Sequence, residues 1–328
     1  MAEKFKAMIV EEQAEKQFTR RIGQRSIDDL PAGDLLVKVH YSSLNYKDAL
    51  SATGNRGVTR NFPHTPGIDA AGEVVEDASG TFQSGDPVVV TGWDLGMNTS
   101  GGYGEYIRVP ADWAIALPAG LSLRDSMILG TAGFTAGLSV QALTERVLPE
   151  EGPVLVTGAT GGVGSVAVGI LAKAGYPVTA VTGKADQAAF LKSLGAQEVI
   201  SRDDVMANAD RPMMKERWAG AVDVVGGEML AAVLKSTRYG GTVTCCGLVG
   251  SPELSVNVFP FILRGVSLLG IDSVQCPVES RLRVWQKLAG PWQVDLEALV
   301  KEVPLAELEA SIQAILKGEL RGRVLVKI

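Results

Sequence analysis

The stretch Val154-Leu-Val-Thr-Gly158-Ala-Thr-Gly161-Gly162-Val163-Gly164-Ser165 decides how this chain is read. Three apolar residues run into a glycine-rich turn, and a segment rich in Val, Ala and Gly follows from Gly164 to Ala174. A buried strand, a tight turn and a small-residue helix in that order present backbone N–H groups and the positive end of a helix dipole to a pyrophosphate. The glycines divide the work. Gly158 permits the turn, Gly161 and Gly162 let the backbone approach phosphate beside Val163, and Gly164 lets helix and strand pack closely. No lysine follows the turn as a P-loop requires, and no Gly-x-Ser-x-Gly elbow occurs.

Downstream, Val178–Val181, Glu198–Ile200, Ala221–Val225, Gly241–Cys246 and Val266–Ile271 read as strands, with a helix at Gln187–Leu194 and helical segments between the others. Alternation at this spacing implies a parallel sheet with right-handed crossovers, an α/β doubly wound Rossmann unit. The first third differs. Phe5–Val10, Asp34–Tyr41, Gly72–Val75, Asp86–Val90 and Glu105–Val109 are short apolar or alternating runs separated by Gly, Pro and Asp, as in a barrel-like domain. Near Glu302 the pattern changes again, to an amphipathic helix at Leu305–Leu316 and a closing strand at Arg323–Ile328. That strand reads as part of the first domain. The expected organisation is therefore residues 1–123 and 299–328 as a β-rich domain, with residues 124–298 inserted as the nucleotide-binding unit.

Bulk properties exclude several classes. A length of 328 residues suits two cores better than one. With 46% apolar and 21% charged residues the mixture is ordinary for a globular protein, and a net charge of -6 argues against a nucleic-acid-coating surface. The start MAEKFKAMIVEEQ lacks the apolar core of a signal peptide, and no uninterrupted apolar run is long enough to span a bilayer, so a soluble, cytoplasmic protein without membrane partners is expected. Three cysteines, Cys245, Cys246 and Cys276, form no disulfide framework and fit a reducing compartment. The adjacent pair reads as buried, inert strand residues.

The cofactor is chosen at the end of the second nucleotide-binding strand. An NAD site usually carries an Asp or Glu there for the ribose hydroxyls. Here Val178–Val181 ends in Thr182-Gly183-Lys184, which lacks a carboxylate and offers a cation suited to a 2′-phosphate. Asp186 lies past the turn and reads as a helix N-cap. Arg202 either adds a second charge or is a solvated loop arginine. NADPH is the expected cofactor.

Two further segments carry a resemblance: Tyr41-Ser-Ser-Leu-Asn45-Tyr46-Lys47-Asp48 and Pro66-Gly-Ile68-Asp69-Ala-Ala-Gly72. Together with the Gly158–Gly164 turn they resemble the medium-chain dehydrogenase/reductase superfamily. Its alcohol dehydrogenases place a zinc-binding Cys near the first segment and a Gly-His-Glu in the second. This chain has Gly67-Ile68-Asp69 there and no cysteine before Cys245, and His40 and His64 cannot complete a zinc ligand set. His40 reads as a strand residue and His64 as a loop residue; no metal is expected. Within the superfamily the chain resembles the quinone-oxidoreductase-like branch, and more specifically the NADPH-dependent acrylyl-CoA reductases. SSLNYKDAL, RNFPHTPGIDAAG, TGW at Thr91–Trp93, GTAGFTA, YGGTVTCCGLVG, PFILRGVSLLGIDSV and the terminal GRVLVKI carry that similarity.

The resemblance implies a GroES-like catalytic domain split around a Rossmann domain, a cleft between them and a homodimer formed through the Rossmann sheets. It places Tyr46 at the nicotinamide end and Gly161–Gly164 on the pyrophosphate. Thr182, Gly183, Lys184 and Arg202 fall around the adenosine phosphate, and Leu248, Ile262, Ser273 and Arg323 complete the envelope. Hydride addition to an α,β-unsaturated thioester puts negative charge on the thioester oxygen, which needs hydrogen-bond donors, and the α-carbon then needs a proton. Asn45 and Tyr46 are the candidates for these contacts, although Tyr46 could equally pack on the nicotinamide and solvent could give the proton. Asp48 orients its neighbours or caps a helix. Arg56 and Arg60 flank a loop that could meet a CoA phosphate. Trp93 shapes the acyl pocket or belongs to the core. The competing readings are an NADPH quinone reductase and an NADPH-binding module without turnover.

Overall fold

A computed structural model describes residues 3–328. From the amino end, β1 (Lys4–Ala14) and β2 (Gln17–Ser26) pair as an antiparallel hairpin. Then come β3 (Leu35–Leu44), α1 (Tyr46–Ala52), β4 (Asp69–Asp77), β5 (Pro87–Thr91), β6 (Tyr106–Val109) and β7 (Ala114–Ala116). A long helix, α2 (Leu123–Thr144), follows, and the chain enters the alternating region. There β8 (Val154–Val156), α3 (Gly162–Lys173), β9 (Val178–Thr182), α4 (Ala188–Ser193), β10 (Glu198–Ser201) and α5 (Arg202–Met206) precede β11 (Trp218–Asp223), α6 (Gly227–Ser236), β12 (Thr237–Cys245), α7 (Phe259–Arg264) and β13 (Ser267–Gly270). The tail holds α8 (Val278–Ala289), α9 (Leu296–Leu299), β14 (Val300–Pro304), α10 (Glu309–Leu316) and β15 (Arg323–Lys327).

Two compact units result. The first comprises Met1–Thr131, Val274–Pro277 and Leu299–Ile328; the second comprises Ala132–Ser273 and Val278–Ala298. In the first unit a seven-stranded sheet runs β14-β15-β3-β4-β5-β7, with β6 also on β3. The carboxyl-terminal strand is thus a central strand of the sheet begun near the amino end: β15 pairs antiparallel with β3, Val324 opposite Leu44. Its apolar residues explain the attachment. Val324 and Val326 are buried with Leu44, Ala49, Leu308 and Ile312, each side chain of this size contributing about 1.5–3 kcal/mol relative to exposure. A second cluster, including Val37, Val74, Val88 and Ile107, fills the other part of the sheet.

The second unit contains a six-stranded, all-parallel sheet in the order β10-β9-β8-β11-β12-β13. Counted from its own first strand this is 3-2-1-4-5-6, the doubly wound Rossmann order, whose strand direction of progress reverses beside β8. Leu155, Ala221 and Val243 on adjacent strands are fully buried, as strands covered on both faces require.

The helix α2 modifies one expectation. Its 22 residues are long and apolar enough to cross a membrane by length and composition, but 72% of the apolar window is buried inside the protein. It is also broken at Gly130, whose φ of 51° and ψ of -157° are not helical. Asp186 differs from its expected role as well. It lies inside a single 3-10 turn, Ala185–Gln187, whose cap position is Lys184, and no side chain caps that turn or α4.

Candidate active site

In the second unit the turn after β8 has the geometry the sequence suggests. Gly158 adopts φ 55°, and its carbonyl accepts from the Gly161 N–H at 2.9 Å. A Cβ on Gly164 would collide with the Gly158 carbonyl oxygen. The close helix–strand approach therefore excludes any larger residue. Gly161 caps α3, whose first turn has no acidic residue to compete with an anion, while Gly162 and Val163 are partly exposed. Thr157, fully buried, donates to Asp223 Oδ1 at 2.8 Å and accepts from the Val224 N–H at 3.0 Å. The Asp223 carboxylate also accepts from the Gly226 N–H at 2.8 Å, and burial pushes its pKa up. This pair ties the carboxyl ends of β8 and β11 together at the switch point of the sheet.

At the end of β9, buried Thr182 accepts from the Lys184 N–H at 3.0 Å and shapes the turn through exposed Gly183. The Arg202 guanidinium lies against Gly183: a Cβ there would stand 3.0 Å from Arg202 Cζ. The structure thus brings Thr182, Gly183, Lys184 and Arg202 to one place. Leu248 and Ile262, large apolar residues, are 65% and 69% exposed. Ser273 is held by Thr135, whose hydroxyl donates to it at 2.9 Å, and its carbonyl accepts from Arg281 at 3.3 Å. Arg281 is itself buried over the Phe134 ring, 4.8 Å from the centroid.

The first unit contains a buried polar cluster at the start of α1. Asn45 is the N-cap, and the Asp48 side chain reaches back to it: the Asn45 N–H donates to Asp48 Oδ2 at 2.8 Å. Asp48 Oδ1 accepts from the Ile68 N–H at 2.7 Å. Burial, and then the neighbouring Asp69 charge, raise the Asp48 pKa to about 7. Asp69 accepts from the Ser43 hydroxyl at 2.5 Å, from Asn45 Nδ2 at 2.7 Å and from the Thr131 hydroxyl at 2.6 Å. Arg323, only 3% exposed, donates to the Ile128 carbonyl at 2.8 Å, to Ser43 Oγ at 2.9 Å and to Asn45 Oδ1 at 3.3 Å. Buried Tyr103 donates to the Ser43 carbonyl at 3.2 Å; burial first, then the nearby carboxylates, push its pKa well up. Tyr46 differs from these neighbours: it is 43% exposed. Asn45 and Arg323 therefore spend their polar atoms inside the protein, whereas Tyr46 faces outward.

Arg56 stacks between the Phe18 and Phe62 rings, 5.6 and 5.1 Å from their centroids, and pairs with the Glu12 carboxylate. That pairing holds Glu12 below the usual carboxylate range. With exposed Arg60 and with Asn61, Arg56 lines a surface groove of about 510 Å³ that also contains Glu11 and Glu12. Trp93, at φ 55°, stacks on Trp113 at 6.2 Å between centroids. Cys245 and Cys246 are partly rather than fully buried, unlike Cys276, and desolvation pushes the Cys246 thiol up to about 12. His64 is buried, hydrogen-bonded to the Gly96 carbonyl at 2.9 Å. Among the described residues no group of three or more His, Cys, Asp or Glu is placed to hold a metal ion.

Sequence reasoning overlooked Ser43, Asp69, Tyr103, Thr131 and Asp223 as site residues. A signal existed for two of them. Asp69 stands alone in Gly67-Ile-Asp-Ala-Ala-Gly72, and Asp223 ends the apolar run Trp218-Ala-Gly-Ala-Val. An isolated acid inside a buried strand must have partners.

Residues 31–119 match the family model of the alcohol dehydrogenase GroES-like domain, and residues 162–289 match that of the zinc-binding dehydrogenases. The chain is 47% identical to acrylyl-CoA reductase AcuI of Ruegeria pomeroyi, over 99% of both chains. It resembles the solved structure of Escherichia coli K-12 YHDH with bound NADPH at a TM-score of 0.94 and 46% identity, covering 98% of this chain and 99% of that one. It also resembles Bacillus subtilis protein yhfP with NAD bound, at a TM-score of 0.97 and 46% identity over the whole of both chains. On this end-to-end similarity, the chain belongs to the acrylyl-CoA reductase family within the GroES-like, Rossmann-containing medium-chain dehydrogenases/reductases.

Proposed function

We propose that the protein reduces the carbon–carbon double bond of a short α,β-unsaturated acyl-CoA, acrylyl-CoA to propanoyl-CoA, with NADPH as reductant. The observation that carries the reading is the 47% identity to an acrylyl-CoA reductase over 99% of both chains. The residues of the second unit fit the nucleotide. The Gly158–Gly164 turn is drawn tight against α3, since a Cβ at Gly164 would collide with the Gly158 carbonyl oxygen, and Gly161, Gly162 and Val163 open a helix with no acid in its first turn. Thr182, Gly183, Lys184 and Arg202 hold the 2′-phosphate, and the exposed side chains of Leu248 and Ile262 cover the bound molecule beside Ser273. NADPH, when bound, supplies the hydride.

The protein's own contribution is binding and orientation, and water supplies the proton that the α-carbon takes up after the hydride reaches the β-carbon. Tyr46 holds its hydroxyl toward the reacting end, donating to the thioester oxygen as negative charge builds there. Asn45 and Arg323 serve the same end from inside, since their polar atoms are committed to the cluster beneath Tyr46. Exposed Arg60 meets a CoA phosphate, while Arg56, tied to Glu12, braces the loop that carries Arg60. The protein acts as a homodimer. β13 is the last strand of its sheet, and exposed Val258, Phe259 and Leu263 precede it, an apolar edge that a second copy would cover.

The test is product analysis. Incubation with acrylyl-CoA and NADPH should yield propanoyl-CoA in equal amount to the NADPH consumed, as read by mass spectrometry. Recovery of unreacted thioester while NADPH is lost would overturn the reading.

A further inference from the structure

Asp69 has no solvent exposure, and its two oxygens accept from three separate parts of the first unit. Ser43 on β3 donates at 2.5 Å, Asn45 ahead of α1 at 2.7 Å, and Thr131 just after Gly130 donates both its backbone N–H, at 3.0 and 3.1 Å, and its hydroxyl, at 2.6 Å. Buried carboxylates this heavily hydrogen-bonded are costly to assemble and rigid once assembled. The Asn45 amide shows what the rigidity accomplishes. Its nitrogen faces Asp69 and, at 3.2 Å, Asp48; its oxygen faces the Arg323 guanidinium at 3.3 Å. Turned over, the amide would set oxygen against carboxylate and nitrogen against guanidinium, so one orientation is dictated electrostatically. Asn45 is also the cap of α1, and Tyr46 is the next residue along the chain.

We infer that Asp69 is a positioning residue for the reaction: held by Thr131 and Ser43, with the buried Arg323 charge nearby, it orients Asn45 and thereby fixes the first turn of α1 that carries Tyr46. The inference rests on the reading of Tyr46 as the residue at the reacting end. Asp69 itself touches no reacting atom. Its carboxylate is needed because each surrounding group is a donor, and an amide in its place would turn one donor against another.

The experiment combines a double-mutant cycle with hydrogen exchange, both on the full chain. Asp69→Asn should lower kcat by roughly 10- to 100-fold, the size of effect a small misplacement of a catalytic group produces, with KM and the NADPH Kd within about threefold of the parent. Because Asp69 acts through Tyr46, the variant carrying both Asp69→Asn and Tyr46→Phe should be no slower than the slower single variant. Hydrogen exchange at residues 45–52 should accelerate in Asp69→Asn while the strands of the second unit keep their protection. If Asp69→Asn does not fold, Ser43→Ala removes one donor and enters the same cycle with Tyr46→Phe. Multiplicative losses in the double variant, or unchanged exchange at residues 45–52, would overturn the inference. A parent protein that ignores acrylyl-CoA yet shows the exchange change upon substitution would sink the substrate reading and leave Asp69 as the anchor of that turn.

Discussion

The Asp48 carboxyl is fully buried beside a second carboxyl, Asp69, with one guanidinium, Arg323, for the two of them. Desolvation and the Asp69 charge raise its pKa to about 7, against the hydrogen bonds from Ile68 and Asn45 that favour the anion. An unfolded aspartate titrates near about 3.9. Between those values the folded chain holds the extra proton, so the Asp48 contribution to stability is full at low pH and declines as pH rises toward 7. Urea unfolding of the parent and of Asp48→Asn from pH 4 to 8 should show it. The variant loses stability throughout, because its amide cannot accept all three N–H groups, but its curve declines less steeply with pH than the parent's. Parallel curves would contradict the assignment. Gly164→Ala makes a second residue-scale prediction. Its Cβ meets the Gly158 carbonyl, so the turn must shift, and NADPH should bind at least about tenfold more weakly, about 1.4 kcal/mol. Fluorescence titration reads this directly. The glycine turn was legible in the sequence because its geometry is local. The Asp69 cluster was not, since Ser43, Asp69, Thr131 and Arg323 meet only after β3, β4 and β15 pair.

Gly130 shows what an element can conceal. Within the single span of α2, Leu123–Thr144, positive φ at Gly130 breaks the helix and directs the Thr131 N–H to Asp69. A Cβ on Gly130 would stand 2.5 Å from Asp69 Oδ2 and 2.6 Å from Ser43 Oγ. Gly130→Ala should therefore cost about 1–3 kcal/mol of unfolding free energy, from strained backbone and from crowding of the cluster. A loss below about 0.5 kcal/mol, the range of ordinary surface substitutions, would contradict this account. Four strands of the parallel sheet, β8, β9, β10 and β13, were read to within one residue of each end. β11 and β12 begin three and four residues before the expected Ala221 and Gly241, in segments Trp218-Ala-Gly220 and Thr237-Arg-Tyr-Gly240 that lack a continuous apolar run. β2 escaped notice for a similar reason: Gln17-Phe-Thr-Arg-Arg-Ile-Gly-Gln-Arg-Ser26 pairs only with β1 and is largely exposed, so its sequence carries little apolar signal. α1 is short, and the Asp48 side chain reaching back to Asn45, rather than a periodic apolar face, marks it.

For the whole molecule, the order 3-2-1-4-5-6 and the return of β15 to pair with β3 follow from features visible in the chain: alternation in the middle, and an apolar strand at the end. What the pattern could not choose was the substrate, because a Rossmann sheet and a GroES-like partner domain serve many chemistries. Cofactor selection belongs to the molecule's charge pattern. Lys184→Ala should lower the preference for NADPH over NADH by roughly tenfold or more, the worth of one charge-assisted phosphate contact, and an unchanged ratio would remove Lys184 from the phosphate site. The most direct test of the central claim is kcat/KM of the purified protein for acrylyl-CoA and for a simple quinone, each with NADPH and with NADH. The account predicts rapid turnover of acrylyl-CoA with NADPH and little with either quinone or NADH. Quinone reduction far exceeding that of the thioester would contradict it.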